Sequence, residues 1–289
     1  MFSETDLHIH STFSDGVMSP AELVMAAEQI GLRNIAITDH DSVDGVPLAA
    51  AAGYKRGINV IPGFELSVDW RGSDIDLLGY AVDVSQQALV HELNERHLKR
   101  LERVRRTLDI LAKEGVQLDW DDVAAIGGEG AIGRPHIAWA MMRKGYVASV
   151  EEAFSMYLGQ DYAANVPSDA KLSLPDGIAL IHKAKGVAII AHPYMPELPE
   201  YLDINEILPE ALDAGIDGLE AYYTGYTVQR TAQLVGLAKR YDLIVTGGSD
   251  FHGGNQLPHC KLGAVNVPSE CVAALWDRSS TGKPESDAF

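Results

Sequence analysis

Short apolar runs recur along this sequence at the spacing of strand–helix units, and one after another they end on an imidazole or a carboxylate. Leu7 to Thr12 reads as a strand carrying His8 and His10, and Asp15 follows in a Ser-Asp-Gly turn. Asn34 to Thr38 runs into Asp39-His40-Asp41, and Ile58 to Pro62 is followed by Glu65. Asp74 to Tyr80 holds Asp76 and pairs in a hairpin with Ser67 to Trp70. Gly186 to Ala191 precedes His192, Gly218 to Tyr222 contains Glu220, and Leu243 to Thr246 leads to Asp250 and His252. Helix signals separate the runs. Ser19-Pro20-Ala21-Glu22 offers an N-cap serine, a proline in the first helical position and a capping-box glutamate, with Gly31 as the stop. Val46–Arg56, Ser173–Lys185, a helix through Ala214, and Val228–Arg240 supply others. Such a βαβα order implies parallel strands with crossover helices. About seven units predict an α/β barrel rather than an open sheet, and in a barrel the strand ends converge on one mouth.

From about residue 86 the pattern changes. Leu98, Leu101, Val104, Leu108 and Leu111 lie three to four apart, a helical period with few strand signals up to residue 170. The expected organisation is a barrel from 1–85 and 171–279, a helical subdomain inserted at 86–170 over the mouth, and a frayed polar tail at 280–289. At 289 residues and 46% hydrophobic content, a full core is affordable. No apolar stretch reaches the ~18 residues of a membrane span, and the N-terminus lacks a basic and apolar leader, so no membrane partner and no secretory signal are expected. Two cysteines, Cys260 and Cys271, argue against a disulfide framework and for a reducing cytoplasm. A net charge of −18 excludes bulk electrostatic coating of long nucleic acid, and duplex DNA is not an expected partner. Any anionic substrate therefore needs bound cations, or a few local Arg and Lys residues, to reverse the sign of the field.

His8 and His10 stand two apart on a strand, so both project from one face, as two ligands of a metal ion would. Alone, an H-x-H is a weak signal. An aspartate after a strand is commonly a cap or turn residue. Nine candidates at one barrel mouth are harder to explain structurally, because buried unpaired charge is costly. They are His8, His10, Asp15, His40, Glu65, Asp76, His192, Asp250 and His252. Nine ligands exceed the needs of one ion and imply two or three, with Glu65 the natural bridge. Imidazole and carboxylate without thiolate suit Mn²⁺, Fe²⁺ or Zn²⁺, with Mg²⁺ also open, and Mn²⁺ is the leading expectation. Clustered ions of this kind activate a water and neutralise charge developing on phosphoryl oxygens.

These strings, with Pro62-Gly63-Phe64-Glu65, Ala191-His192-Pro193 and Gly248-Ser249-Asp250-Phe251-His252-Gly253, resemble the motif pattern of the PHP (polymerase and histidinol phosphatase) family over nearly the whole chain. The resemblance implies a distorted (β/α)₇ TIM-like barrel of the amidohydrolase superfamily and a multi-metal phosphoesterase site. It also implies a ligand division: His8, His10, Glu65 and Asp250 for one ion, Glu65 and His192 for a second, and Asp15, His40 and His252 for a third. Asp76 departs from the pattern, since the family usually has histidine there.

Gly133-Arg134-Pro135-His136 opens an apolar helical run. On residue chemistry alone Arg134 is either a bidentate phosphate clamp, with His136 as a second donor, or a surface arginine beside a helix start. The same string resembles the phosphate-binding element of a PHP subgroup that includes a 3′,5′-nucleoside bisphosphate phosphatase and enzymes that trim short RNA. Lys171 is a further phosphate candidate. The basic run Arg96 to Arg106 reads as a solvated helix face or as a guide for nucleotide. Tyr222 and Tyr223 could stack on a base or pack in the core. The expectation is a phosphomonoesterase acting on the 3′-phosphate of a nucleoside 3′,5′-bisphosphate, with His192, His252 and Asp250 closest to the chemistry. A 5′-to-3′ exonuclease on short RNA, a histidinol-phosphate-type phosphatase and a non-catalytic metal-stabilised module are the alternatives.

Overall fold

The computed structural model describes residues 4–127, 132–159, 162–166, 171–194, 203–253 and 260–280; the tail expected to fray lies outside them except for Ser280. The chain opens with β1 (Thr5–Ile9), α1 (Pro20–Ile30), β2 (Asn34–Ile37) and α2 (Val46–Arg56). At the start of α1 the Ser19 hydroxyl accepts from the Glu22 N–H, while the Glu22 carboxylate accepts from the Ser19 N–H. Next come β3 (Asn59–Trp70) and β4 (Ser73–Tyr80), then the helices α3 (Gln87–Lys113), α4 (Trp120–Gly127), α5 (Arg134–Arg143) and α6 (Val150–Ala153), the last running into a π-helical turn, Phe154–Leu158. The strand–helix rhythm resumes with α7 (Leu174–Lys183), β5 (Val187–Ile190), α8 (Ile204–Asp213), β6 (Gly218–Tyr223), α9 (Val228–Arg240), β7 (Ile244–Gly248) and α10 (Glu270–Arg278).

The seven strands form one sheet in sequence order. β1, β2 and β3 pair in parallel, as do β5, β6 and β7, but β4 runs antiparallel to both β3 and β5. The barrel is thus not uniformly parallel. Where the sequence pattern suggests two short strands around Glu65, there is a single twelve-residue strand, β3. Its first half pairs with β2 and its second half with β4, so the backbone groups stay satisfied throughout.

Closure comes after β7. The Asp250 N–H donates to the His8 carbonyl, and the His10 N–H donates to the Phe251 carbonyl, both at 2.9 Å. Gly248 permits this approach: a Cβ there would stand 2.3 Å from the His8 nitrogen. α10 packs Cys271, Leu275 and Trp276 against Leu7, Ile61, Leu78 and Val187, sealing strands β1, β3, β4 and β5 with apolar contacts.

The helical segment after residue 86 has its own core, formed by Val104, Leu108, Leu111, Val123, Ile137, Met141 and their neighbours. α3 belongs to both bodies. Leu89 and Leu93 lie in the barrel core beside Leu174 and Ile178, while its C-terminal half lies in the insertion core. No described helix is long and apolar enough to cross a membrane.

Candidate metal centre and phosphate face

Each ligand candidate reaches the mouth through the backbone around it. His8 on β1 and His10 just past its end alternate with Leu7 and Ile9, and all four are fully buried. Pairing between β2 and β3 continues past the end of β2. The Glu65 N–H donates to the Asp39 carbonyl at 3.1 Å and the Asp41 N–H to the Glu65 carbonyl at 2.7 Å, which sets His40 directly beside Glu65. Asp39 points back rather than into the mouth. It accepts from the Ser11 N–H and hydroxyl, both at 2.6 Å, and from the Ser14 hydroxyl at 2.7 Å, fixing the turn that presents Asp15. His192 and Asp250 adopt left-handed backbone at φ 21° and 54°, a conformation costly for side-chain-bearing residues and held by local bonds. The Glu220 carboxylate accepts from the His192 N–H at 2.8 Å, and Asp250 is tied to the His8 carbonyl.

Three groups result, each with its donor atoms within 4.8 Å of one another: His8, His10 and Asp250; His8, Glu65 and His192; and His10, Asp15, His40 and His252. The Glu65 carboxylate touches four imidazoles. Oε2 lies 3.3 Å from His8 Nε2, 3.2 Å from His10 Nε2 and 3.2 Å from His40 Nδ1, and Oε1 lies 3.0 Å from His192 Nε2. Glu65 is therefore placed as a bridge between groups. Asp250 Oδ1 lies 3.3 Å from His8 Nε2 and 3.1 Å from His10 Nε2.

Two buried atoms in this cluster, His10 Nε2 and Asp15 Oδ1, make no hydrogen bond among the described residues, as expected of atoms reserved for a cation. The outer contacts agree. His8 Nδ1 pairs with Glu220 Oε1 at 3.0 Å, and His252 Nδ1 donates to the Asp250 carbonyl at 2.9 Å, so Nε2 of each ring is left to ligate. The donor set suits divalent ions. Charge points the same way. Despite burial, which opposes ionisation, the surrounding imidazoles hold Glu65, Asp15 and Asp250 well below the usual carboxylate range. Burial works against protonating the rings too, yet the nearby carboxylates of Asp250 and Glu65 raise His10 to about 10, and Glu65 raises His192 to about 9. The mouth is built to hold positive charge.

The PHP-domain model matches residues 6–158, which include His8 to Glu65 and the insertion through α6. The chain belongs to the PHP family. A 5′-3′ exoribonuclease of Haemophilus influenzae is 34% identical over 87% of this chain and 91% of its own. A 3′,5′-nucleoside bisphosphate phosphatase of Chromobacterium violaceum is 31% identical over 94% of each. The crystal structure of a Bifidobacterium adolescentis protein, inferred to be a metal-dependent phosphoesterase, superposes with a TM-score of 0.87 at 31% identity, covering 95% of this chain and 96% of that one. Like the PHP enzymes it matches, the chain is a metal-dependent phosphoric ester hydrolase.

Within this PHP site, Asp76 stands apart from the three groups. Its Oδ1 accepts from the Ser67 hydroxyl at 2.6 Å, and its Oδ2 lies 3.9 Å from His192 Nε2. In the inserted segment, Arg134 at the start of α5 donates to Asn165 at 2.7 Å. His136 Nδ1 accepts from the Gly133 N–H at 3.0 Å, so in the neutral ring Nε2 carries the proton and can donate. Burial lowers the His136 pKa and nearby Arg100 adds to this, keeping the ring neutral, although Asp15 pulls the other way. Lys171 forms an ion pair with Asp74.

Tyr222 does not reach the cluster. The β6–β7 register shifts between Glu220 and Tyr222, and this bulge turns Tyr222 towards Cys271 and Glu270 and brings Tyr223 inward. Tyr223 donates to Asp250 Oδ2 at 2.7 Å, and its ring lies 5.4 Å from that of His192. Neither this role nor that of Glu220 behind His8 follows from strand alternation. The basic run is also not merely solvated. Arg96 is buried, donating to Asp41 at 2.7 Å, and Arg100 donates to the other Asp41 oxygen. Asp41 is the residue after His40, so helix α3 is bonded directly to the rim of the metal centre.

Proposed function

We propose that this PHP enzyme removes the 3′-phosphate from nucleoside 3′,5′-bisphosphates, using two or three divalent ions with Mn²⁺ foremost. The observation that carries this reading is the bonding of arginines to the rim of the His/carboxylate groups: Arg96 and Arg100 of α3 both donate to Asp41, the residue after His40. The ions would lower the pKa of water and neutralise charge on the phosphoryl group. His8, His10, Glu65 and Asp250 hold one end of the site, Asp15, His40 and His252 the other, and His192 stands beside Glu65. From the insertion, the Arg134 guanidinium and the His136 Nε2–H would bind phosphoryl oxygens of the group under attack. Water oxygen bonds to phosphorus, the P–O3′ bond breaks, and the 3′-oxygen takes up a proton. His192 or His252 would assist this transfer.

A second reading, cleavage of short RNA from the 5′ end, is favoured by the identity to the Haemophilus enzyme. The two activities need not differ in the bond broken. In both, P–O3′ of a 5′-phosphorylated nucleotide is cut; in RNA the phosphorus also carries the next nucleoside. The two buried free thiols suit a reducing cytoplasm. Metal-reconstituted protein should hydrolyse adenosine 3′,5′-bisphosphate at least tenfold more efficiently than histidinol phosphate. Equal efficiencies would discard the nucleotide reading. Release of mononucleotides from a 5′-phosphorylated oligoribonucleotide, at a rate comparable to that on the bisphosphate, would favour the exonuclease.

A further inference from the structure

One stripe of α3 runs Leu89, Leu93, Arg96, Arg100, Arg103, Thr107, Leu111, each three or four residues from the last. Its ends are buried in two different cores, and its middle is three arginines. Two of the three are engaged by Asp41: Arg96 through Nε, and Arg100 through Nη2. The third, Arg103, is half-buried and makes no hydrogen bond or ion pair among the described residues. It lies about 10 Å beyond Arg96 along the helix axis. Burial and the neighbouring charges of Arg100 and Arg134 hold its pKa down to about 10.

Among the described residues, negative charge around these arginines is scarce. Arg134 spends a donor on the neutral Asn165, and Lys171 is paired with Asp74. Arg100 also lies against the residue that precedes Arg134, since a methyl at Gly133 would stand 3.5 Å from its Nη1. Among the described residues, four cations, Arg100, Arg103, Arg134 and Lys171, lie near two carboxylates, Asp41 and Asp74. Crowding like charges away from water is unfavourable unless an anion sits among them, and guanidinium forks match phosphate oxygens in pairs.

We propose that Arg103, beside Arg100, forms a second anion subsite, separate from the Arg134 and His136 contacts to the phosphoryl group under attack, that holds the terminal phosphate of the substrate not under attack at the metal centre. The proposal rests on the phosphoesterase reading above. It makes recognition of a second phosphate, as on the 5′ end of a nucleoside bisphosphate or of RNA, a property of the insertion and not of the metals.

The test compares kcat/KM for adenosine 3′,5′-bisphosphate with that for adenosine 3′-phosphate in the metal-loaded enzyme. The wild type should favour the bisphosphate. In Arg103→Met, which keeps the apolar stem, that ratio should fall about 100-fold, with Arg103→Lys between the two. Arg105→Met, whose guanidinium stacks on Trp120 at 4.8 Å on another face of α3, should keep the wild-type ratio. A 5′-phosphorylated and a 5′-hydroxyl oligoribonucleotide form the RNA arm, with the same expectation. Calorimetry of adenosine 5′-phosphate binding to the chelator-treated protein reads the subsite without catalysis and should show about 100-fold weaker binding in Arg103→Met. A bisphosphate preference that survives Arg103→Met, or unchanged adenosine 5′-phosphate affinity, overturns the proposal. If none of these esters is hydrolysed, the phosphoesterase reading fails instead, and the calorimetric arm still decides the subsite.

Discussion

The barrel mouth and the underside of the insertion are both highly charged and semi-enclosed, but they are assembled in opposite ways. At the mouth each ligand comes from a different strand end, and the backbone ladder of the barrel sets their spacing. In the insertion the cations come mainly from one stripe of one helix, and helical pitch sets their spacing. The first layer gathers imidazole and carboxylate and calls for cations; the second gathers guanidinium and calls for anions. Their opposition explains how a chain with a net charge of −18 can accept a phosphate ester. The field is reversed across one cleft, leaving the rest of the surface acidic.

Breaking the metal layer should have the largest effect. His10→Ala removes a ligand shared by two of the three groups and should lower kcat/KM by at least about 10³-fold, with elemental analysis showing lost metal. Chelation of the wild type should match that loss, and re-added Mn²⁺ should reverse it. Undiminished turnover in either case would detach the mouth from catalysis. The join between the layers comes next. Asp41→Ala removes the carboxylate that Arg96 and Arg100 share, and should destabilise the fold by about 3 kcal/mol in urea denaturation, since a buried arginine loses its counter-charge. A smaller loss is expected behind the metals, where Glu220→Gln weakens the orientation of His8 and should reduce metal affinity 10- to 100-fold. The smallest effect is expected from Tyr223→Phe, which removes one hydrogen bond to Asp250. A change of about tenfold in metal affinity, read by competition with a chelating dye, is the expected result.

The metal layer was legible in the sequence because strand alternation and strand-end position are local properties. Knowing that His8 and His10 share a face requires only their spacing of two, and the barrel then gathers the rest. What escaped was set by irregularity or by partners distant in sequence. The bulge in β6 exchanges Tyr222 for Tyr223 at the site, and no residue type announces it. Glu65 lies inside a long strand because β4 supplies an antiparallel partner, which alternation alone does not reveal. The arginine stripe was hidden for a different reason. Leu101, Val104, Leu108 and Leu111 mark a core face so strongly that the adjoining basic residues read as its solvated side, although Arg96, Arg100 and Arg103 continue the line of Leu89 and Leu93. The closing helix α10 carries only a short apolar pattern, Cys271, Val272, Leu275 and Trp276, and gained its place from contacts with residues at the other end of the chain.

Helix α3 is set into the barrel core at one end and the insertion core at the other, with no loop between. Roof and floor of the cleft are therefore parts of one rod about 40 Å long. A hinge between the two bodies would have to break that rod or pull leucines out of a core. If both charged layers bind phosphate, such a rod would act as a caliper, selecting a molecule by the distance between its phosphates before the identity of its base is consulted.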